Sequence, residues 1–408
     1  MTKKCSFCSK TKFRNIINLG KQPLANSYLL NPKTFDSERK VNLSLEMCLN
    51  CKLAQVPHNI YPSDFFLNYD YLSGASKTWV EHCKKFSNHV VKKFSLKKTK
   101  GSIVEIASND GVLLKFFKKK NFNVLGIEPS VNAVKIARLN GINSILDFFD
   151  FKLAKKIKSK EKIQLIIGNN VIAHIKNLNS FVKGLHELSD ENTTISIEIP
   201  HILNLFKKKQ FDTIYHEHHY YYSLHSLNKI FNKFKLKIID VELIETHGGS
   251  LRIFAKKINK NLKIDKSVFK ILKLEKKYNL NSYKTHKKFR SDIYEIKKNS
   301  IKLINKISKN KKIIDAYGAA AKGNTLLNFF GINKNDIRFV YDTNILKQNK
   351  YLPGSHIKIL DPSQIKKNKP NYILILPWNV KHEVMKQLNF VKKWGCKFIT
   401  LIPRVSLN

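Results

Sequence analysis

No apolar run in the sequence approaches the ~20 residues that a membrane span needs, and the opening MTKKCSFCSK carries no apolar leader. The expectation is a cytoplasmic protein with no membrane partner, its thiols reduced and free to bind metal. A secreted disulfide framework fits the six cysteines poorly for the same reason. Acidic residues are scarce too, 30 Asp plus Glu against 75 Lys plus Arg. That imbalance raises nucleic acid as a partner. No RNA-binding signature, helix-turn-helix pattern or aromatic-interleaved basic repeat accompanies it, and the lysines run through the whole chain among asparagines and isoleucines. No nucleic-acid partner is therefore expected. The charge reads as general composition, or as a positive surface that helps attract a phosphorylated substrate.

With 408 residues and 42% hydrophobic content, the chain can bury two or three cores. Residues 1–68 hold CSFC (Cys5, Cys8) and CLNC (Cys48, Cys51), the second inside VNLSLEMCLNCKLAQV, which alternates like a strand entering and leaving a tight knuckle. Two C-x-x-C turns complete a tetrahedral S₄ shell, the structural arrangement that zinc prefers, with no position left open for catalysis.

Residues 69–258 contain GSIVEIASNDGVLLKFFKKKNFNVLGIEPS. A short buried strand runs into a turn, an amphipathic helix and a second buried strand ending in an acid, a unit of the parallel doubly wound α/β class. Glu128 follows Glu105 by 23 positions, near the ~20 at which such folds place a carboxylate for ribose hydroxyls. The turn lacks G-x-G-x-x-G. It offers one glycine, Gly111, and an extra acid, Asp110, which would repel a phosphate. A cofactor with a ribose and a positive centre, as in S-adenosylmethionine, fits better. In GNNVIAHI, just past another buried strand, Asn169, Asn170 and His174 are placed to face a ligand; His174 alone also reads as a satisfied structural histidine.

Residues 259–408 open with a lysine-rich helical segment, about Lys263 to Lys309, that reads as a connector. KKIIDAYGAAAKGNTLLNFFGINKNDIRFVYDTN then repeats the strand, turn, helix, strand plan, ending in Asp342. Here small residues and Lys322 replace the acid of the turn, which suits a diphosphate or serves close packing. In THGGSLR, Gly248 and Gly249 either admit a ligand close to the backbone, beside His247, Ser250 and Arg252, or turn a hairpin.

The densest chemistry lies in YHEHHYYY, Tyr215 to Tyr222. A zincin needs H-E-x-x-H, and the fifth position here is Tyr220, so that metal pattern fails. The order of the C-x-x-C pair, YLSGAS, EIASNDGVLL, GIEPS, GNNVIAHI, YHEHHYYYSL, HGGSLR, YGAAAKGNTLLN and KYLPGSHI resembles the three-domain sugar C-methyltransferases over essentially the whole chain. The resemblance implies a zinc-binding N-terminal domain, a Rossmann-like class I methyltransferase domain, and a second Rossmann-like C-terminal domain helping to hold a nucleotide-linked keto sugar. It implies methylation of C-3 of a 4-keto deoxysugar by S-adenosylmethionine in deoxysugar biosynthesis. It assigns Cys5, Cys8, Cys48 and Cys51 to zinc and Glu128 to the cofactor ribose; Tyr71 (with Tyr69 as competitor), His174, Tyr215, Glu217 and His218 fall around the reacting sugar. Glu105, Ala107, Asn109, Gly111, Asn169 and Asn170 complete the expected cofactor set. The family usually has glycine where this chain has Ala107. His218 is the expected base, Glu217 its orienter or charge partner, and Tyr215 with Tyr71 the donors to the sugar. An O- or N-methyltransferase is the alternative, and an RNA-binding methyltransferase a remoter one. The sequence sets no oligomeric state, and a monomer is compatible with it.

Overall fold

The computed structural model describes residues 3–57 and 72–408. Its first sheet is antiparallel, with β1 (Phe13–Pro23), β2 (Lys40–Cys48) and β3 (Ala54–Gln55). The two cysteine knuckles are built alike. Each closes with a hydrogen bond from four residues on, Ser9 N–H to the Cys5 carbonyl at 2.9 Å and Lys52 N–H to the Cys48 carbonyl at 3.0 Å. Each has that residue in the left-handed region, at φ 59° and 64°.

The second sheet begins after α1 (Lys77–Lys93) with β4 (Ser102–Ile106), followed by α2 (Val112–Lys118), β5 (Val124–Glu128), β6 (Ser144–Leu146) and β7 (Ile163–Asn169). It continues through α3 (Leu178–Leu188) and β8 (Thr194–Pro200). Every residue of β4 is buried, as a central strand covered on both faces requires. A short strand β9 (Tyr220–Tyr221) leaves this domain and pairs with β3 as the fourth strand of the first sheet. The chain returns through β10 (Leu236–Ile244) and β11 (Ser250–Lys257). The strand order is β10-β11-β8-β7-β4-β5-β6, with β11 antiparallel to both neighbours. The order reverses between β4 and β7, so ligands are expected beyond the carboxyl ends of those strands.

The lysine-rich segment is two helices, α4 (Lys266–Lys277) and α5 (Tyr283–Lys309). It is not a loose connector: α5 buries Phe289, Ile293, Ile296 and Ile304 in one core with Ile16, Ile17, Leu43 and Leu45 of the first sheet. The third sheet contains β12 (Ile314–Tyr317), β13 (Phe339–Tyr341), β14 (Lys358–Leu360), β15 (Tyr372–Ile375), β16 (Lys397–Thr400) and β17 (Ser406–Leu407), with α6 (Ala321–Phe330) after β12. Its order is β14-β13-β12-β15-β16-β17, parallel except for β17.

The two α/β sheets share a local device. Glu128 accepts backbone N–H bonds from Asn109 at 2.9 Å and Ser130 at 2.8 Å. Asp342 does the same for Ala319 at 2.7 Å and Asn344 at 2.8 Å. In the third sheet, Tyr28 of the first domain and Lys347 both donate to the Ala319 carbonyl, at 2.6 and 2.8 Å.

Candidate active site

The four cysteine sulfurs lie within 4.8 Å of one another, with Cys5 to Cys51 and Cys8 to Cys48 both at 3.6 Å. Tetrahedral zinc with Zn–S bonds of ~2.3 Å separates its sulfurs by about 3.8 Å. The cluster therefore fits the ion with little movement. Among the described residues no other such group forms. His216 donates Nε2–H to the Val41 carbonyl at 3.1 Å in the first sheet, and burial pushes it down to about 4.

One cavity of about 760 Å³ runs from the second sheet to the third, within the size range of ligand pockets. At one end stand Ala107, Asn109 and Glu128, with Asn169 and Asn170 beyond β7. Burial raises the Glu128 carboxyl, against its two backbone donors. Both side-chain polar atoms of Asn169 are buried without a hydrogen bond, the condition expected of groups that wait for a ligand. Asp147 and Phe148, just after β6, add an acceptor and an aromatic face to this end.

At the centre, Tyr215 to His218 form a turn closed by the His218 N–H and the Tyr215 carbonyl at 3.0 Å. The His218 ring places Nδ1 2.9 Å from the Thr213 carbonyl. A carbonyl only accepts, so Nδ1 carries the proton and Nε2 the lone pair. The Tyr215 hydroxyl donates to that Nε2 at 2.7 Å. His174 packs edge-on to His218, centroids 4.8 Å apart, and donates Nδ1–H to the Glu217 carbonyl at 2.9 Å. Burial pushes His174 down to about 4, against the bond to the Glu217 carbonyl.

At the far end, Ala320, Ala321 and Lys322 line the cavity at the start of α6. The N-cap, Ala320, supplies no side-chain bond, so the positive dipole end of this helix, at the cavity wall, has no side-chain cap. Lys322 donates to Asn379 and lies 5.1 Å from the Trp378 ring. Burial lowers its pKa while the Asp212 charge opposes that shift.

The sequence matches three family models in series: a zinc binding domain over 5–66, a methyltransferase domain over 79–241 and a C-methyltransferase C-terminal domain over 245–403. The three models follow one another along residues 5–403, and the chain reads as an S-adenosylmethionine-dependent C-methyltransferase. The methyltransferase is 29% identical over 401 residues to C-methyltransferase NovU of Streptomyces niveus, covering 98% of this chain and 95% of that one. Among solved structures it is similar to the magnesium protoporphyrin IX methyltransferase of Synechocystis PCC 6803 with bound SAM, at 14% identity, over 44% of this chain and 82% of that one, with a TM-score of 0.33. A Pyrococcus horikoshii protein, PH0226, gives 12% identity, 49% and 98% coverage and a TM-score of 0.36.

In the methyltransferase, the structure gathers most of the expected residues and removes some. Ala107, Asn109, Glu128, Asn169, Asn170, His174, Tyr215 and His218 line the one cavity. Gly111 does not: at φ 74° it has no room for a side chain, since a Cβ would stand 2.9 Å from Ile142. It is a packing glycine. Glu105 lies buried beneath the turn, off the cavity wall, and burial pushes its carboxyl well above the usual carboxylate range. Glu217 does not orient His218, because its carboxylate takes its bonds from Asn26 at 2.8 and 2.9 Å. The turn lets residues 217 and 218 point apart. Arg252 is paired internally, to Glu198 at 3.0 Å and Glu242 at 3.2 Å, and the Ser250 hydroxyl is bound to the Thr246 carbonyl, so HGGSLR forms the β10–β11 corner and not a ligand wall. The side chain of His247 lies outside the described residues, as do Tyr69 and Tyr71. Sequence reasoning missed Asn26 and Thr213. Asn26 meets Glu217 across 191 positions, and Thr213, five residues before His218, acts through its main-chain carbonyl, which no residue type announces.

Proposed function

We propose that the protein transfers a methyl group from S-adenosylmethionine to C-3 of a nucleotide-linked 4-keto deoxysugar through an enolate. The observation that carries the reading is the single cavity, which joins a nucleoside-type end at Glu128 and Asn109, a histidine–tyrosine pair at its centre, and an anion-seeking helix start with Lys322 at its far end. S-adenosylmethionine supplies an electrophilic methyl on a sulfonium. Glu128 accepts from the ribose hydroxyls, with Asp147 and Phe148 set for the purine. Lys322 and the first amides of α6 hold the diphosphate.

The sugar then lies with its ketone near Tyr215. A keto group makes the neighbouring C–H acidic, and neutral imidazole has a pKa suited to take that proton near neutrality. His218 receives it at Nε2, while the Thr213 carbonyl holds Nδ1–H and shares the positive charge that results. Tyr215 turns from His218 to the ketone oxygen and donates to it as negative charge develops. The carbanion equivalent at C-3 attacks the methyl, whose bond to sulfur breaks with its electron pair left on S-adenosylhomocysteine.

The test is exchange of the C-3 proton of a nucleotide-linked 4-keto-6-deoxy sugar in D₂O, followed by carbon-13 NMR of the product made with labelled S-adenosylmethionine. The label is expected on carbon. A label on oxygen or nitrogen, or turnover with no solvent exchange at C-3, refutes the enolate route.

A further inference from the structure

The N-terminal domain reaches the cavity through a strap, residues 24–29, between β1 and β2. One side of the strap grips the third sheet. The Ala25 carbonyl accepts from Asn324 of α6 at 2.6 Å, and Leu29 and Tyr351 exchange backbone bonds at 3.0 and 2.8 Å. The other side grips the catalytic turn. Asn26 Nδ2 donates to both oxygens of Glu217, at 2.8 and 2.9 Å.

Glu217 is 2% exposed, and a buried carboxylate is stable only where donors meet it. Its carboxylate takes its bonds from Asn26. Burial pushes the acid up to about 7, with Asn26 pulling against that shift. The consequence falls on the same residue's main chain, whose carbonyl holds His174 Nδ1–H at 2.9 Å. The Glu217 carbonyl shares its peptide plane with the His218 N–H, which the Tyr215 carbonyl holds at 3.0 Å. Asn26 secures the same turn through the Glu217 side chain. The Glu217 carbonyl only accepts, and so sets the proton on His174 Nδ1. Nε2 is then the acceptor nitrogen of a ring that lines the cavity.

We propose that Asn26 is a positioning residue for methyl transfer: it clamps Glu217 so that the turn locks His174 in its Nδ1–H tautomer and in register with His218. The zinc-binding domain thus contributes to the chemistry through one amide, while its other strap contacts hold α6, and with it Lys322, at the far end of the same cavity. The effect on turnover rests on the function proposed above; the tautomer does not.

The experiment uses the full-length, zinc-loaded protein labelled with nitrogen-15 in histidine, with His174→Gln to assign the His174 signals. Without substrate, wild type is expected to show the neutral Nδ1–H signature for His174. Asn26→Asp keeps the shape and replaces the donor by an acceptor. It is expected to give mixed tautomers and to lower kcat for methyl transfer by about tenfold or more, with KM for the keto sugar changed by less than about threefold. Tyr28→Phe removes a strap bond to the third sheet and leaves Asn26, so its His174 signature stays that of wild type. Should Asn26→Asp lose its zinc, Asn26→Ser is measured in its place. A wild-type His174 protonated on Nε2 overturns the proposal with no variant needed. So does an Asn26 variant with unchanged His174 signals and kcat within about twofold of wild type. The tautomer is read without sugar, so a wrong substrate leaves this test standing.

Discussion

Ala107 sits at φ 57° in the turn after β4, a left-handed conformation that side chains avoid because Cβ crowds the following carbonyl, at roughly 1–2 kcal/mol. Its neighbours in that region, Asn109 and Asn170 at φ 49° and 54°, are of the type that tolerates it, and Asn109 also accepts from Ser73 N–H at 2.8 Å. Alanine has no polar group with which to recover the strain. Ala107→Gly removes it, while the freer unfolded chain takes back roughly 0.4–1 kcal/mol. The net expectation is a gain of about 0.5–1 kcal/mol, seen as a rise in Tm of roughly 1–4 °C. The substitution also withdraws a methyl group from the cavity wall at the cofactor end. Differential scanning calorimetry and titration with S-adenosylhomocysteine check both effects. Binding at least as tight as wild type is expected; a lower Tm, or binding roughly tenfold weaker, refutes the argument from strain.

The other expectations fall on separate parts of the molecule. His218→Asn should abolish C-3 proton exchange and leave S-adenosylhomocysteine affinity within about twofold, measured by NMR and calorimetry; exchange that survives removes His218 as the base. Arg252→Met leaves Glu198, fully buried in the β10–β11 corner, with His82 and the Thr246 hydroxyl but without its guanidinium, and chemical denaturation should show a loss of about 1.5–3 kcal/mol. Cys48→Ser should release zinc to a chromophoric chelator and lower Tm, with loss of methyl transfer, because the cluster anchors the sheet that receives β9. His286, fully buried against Phe206 and bound to the Leu280 carbonyl at 3.0 Å, is held down to about 4 chiefly by burial. Its folded pKa lies below the unfolded ~6.5, so the stability it contributes is present above that value and lost as pH falls toward 4, up to about 3 kcal/mol. Urea titrations from pH 7 to 4 should show His286→Gln losing less stability than wild type over that window.

The parts of this molecule that obey local rules were readable in the chain. The knuckles need only short spacing and a left-handed closing residue, and the strand, turn, helix, strand units announce themselves by buried runs that end in Glu128 and Asp342. Residues that reach the cavity from strand ends, Asn169, Asn170 and His174 among them, follow from the topology of such sheets. Partnerships across the fold were not readable. Glu217 next to His218 suggests a pair, yet the turn separates them and gives Glu217 to Asn26 instead. Gly111 looked like a ligand glycine and answers to Ile142, and the acids around Glu105 gave no hint that one would be sealed beneath the turn. HGGSLR left two readings open, and only the positions of Glu198 and Glu242 decide between them.

The pairing of β9 with β3 has a consequence for anyone who would exchange parts between relatives. A cut at the end of the cysteine-bearing segment yields a sheet missing its last strand, with the backbone of β3 bared as a sticky edge. The apolar face of β1 and β2 would meet water as well, since its other half belongs to α5 and the third sheet. A graft of the zinc-binding segment alone therefore exposes two surfaces at once. A chimaera that carries Tyr215–Tyr222, α5 and the third sheet along with it keeps both covered, and its melting should remain a single transition.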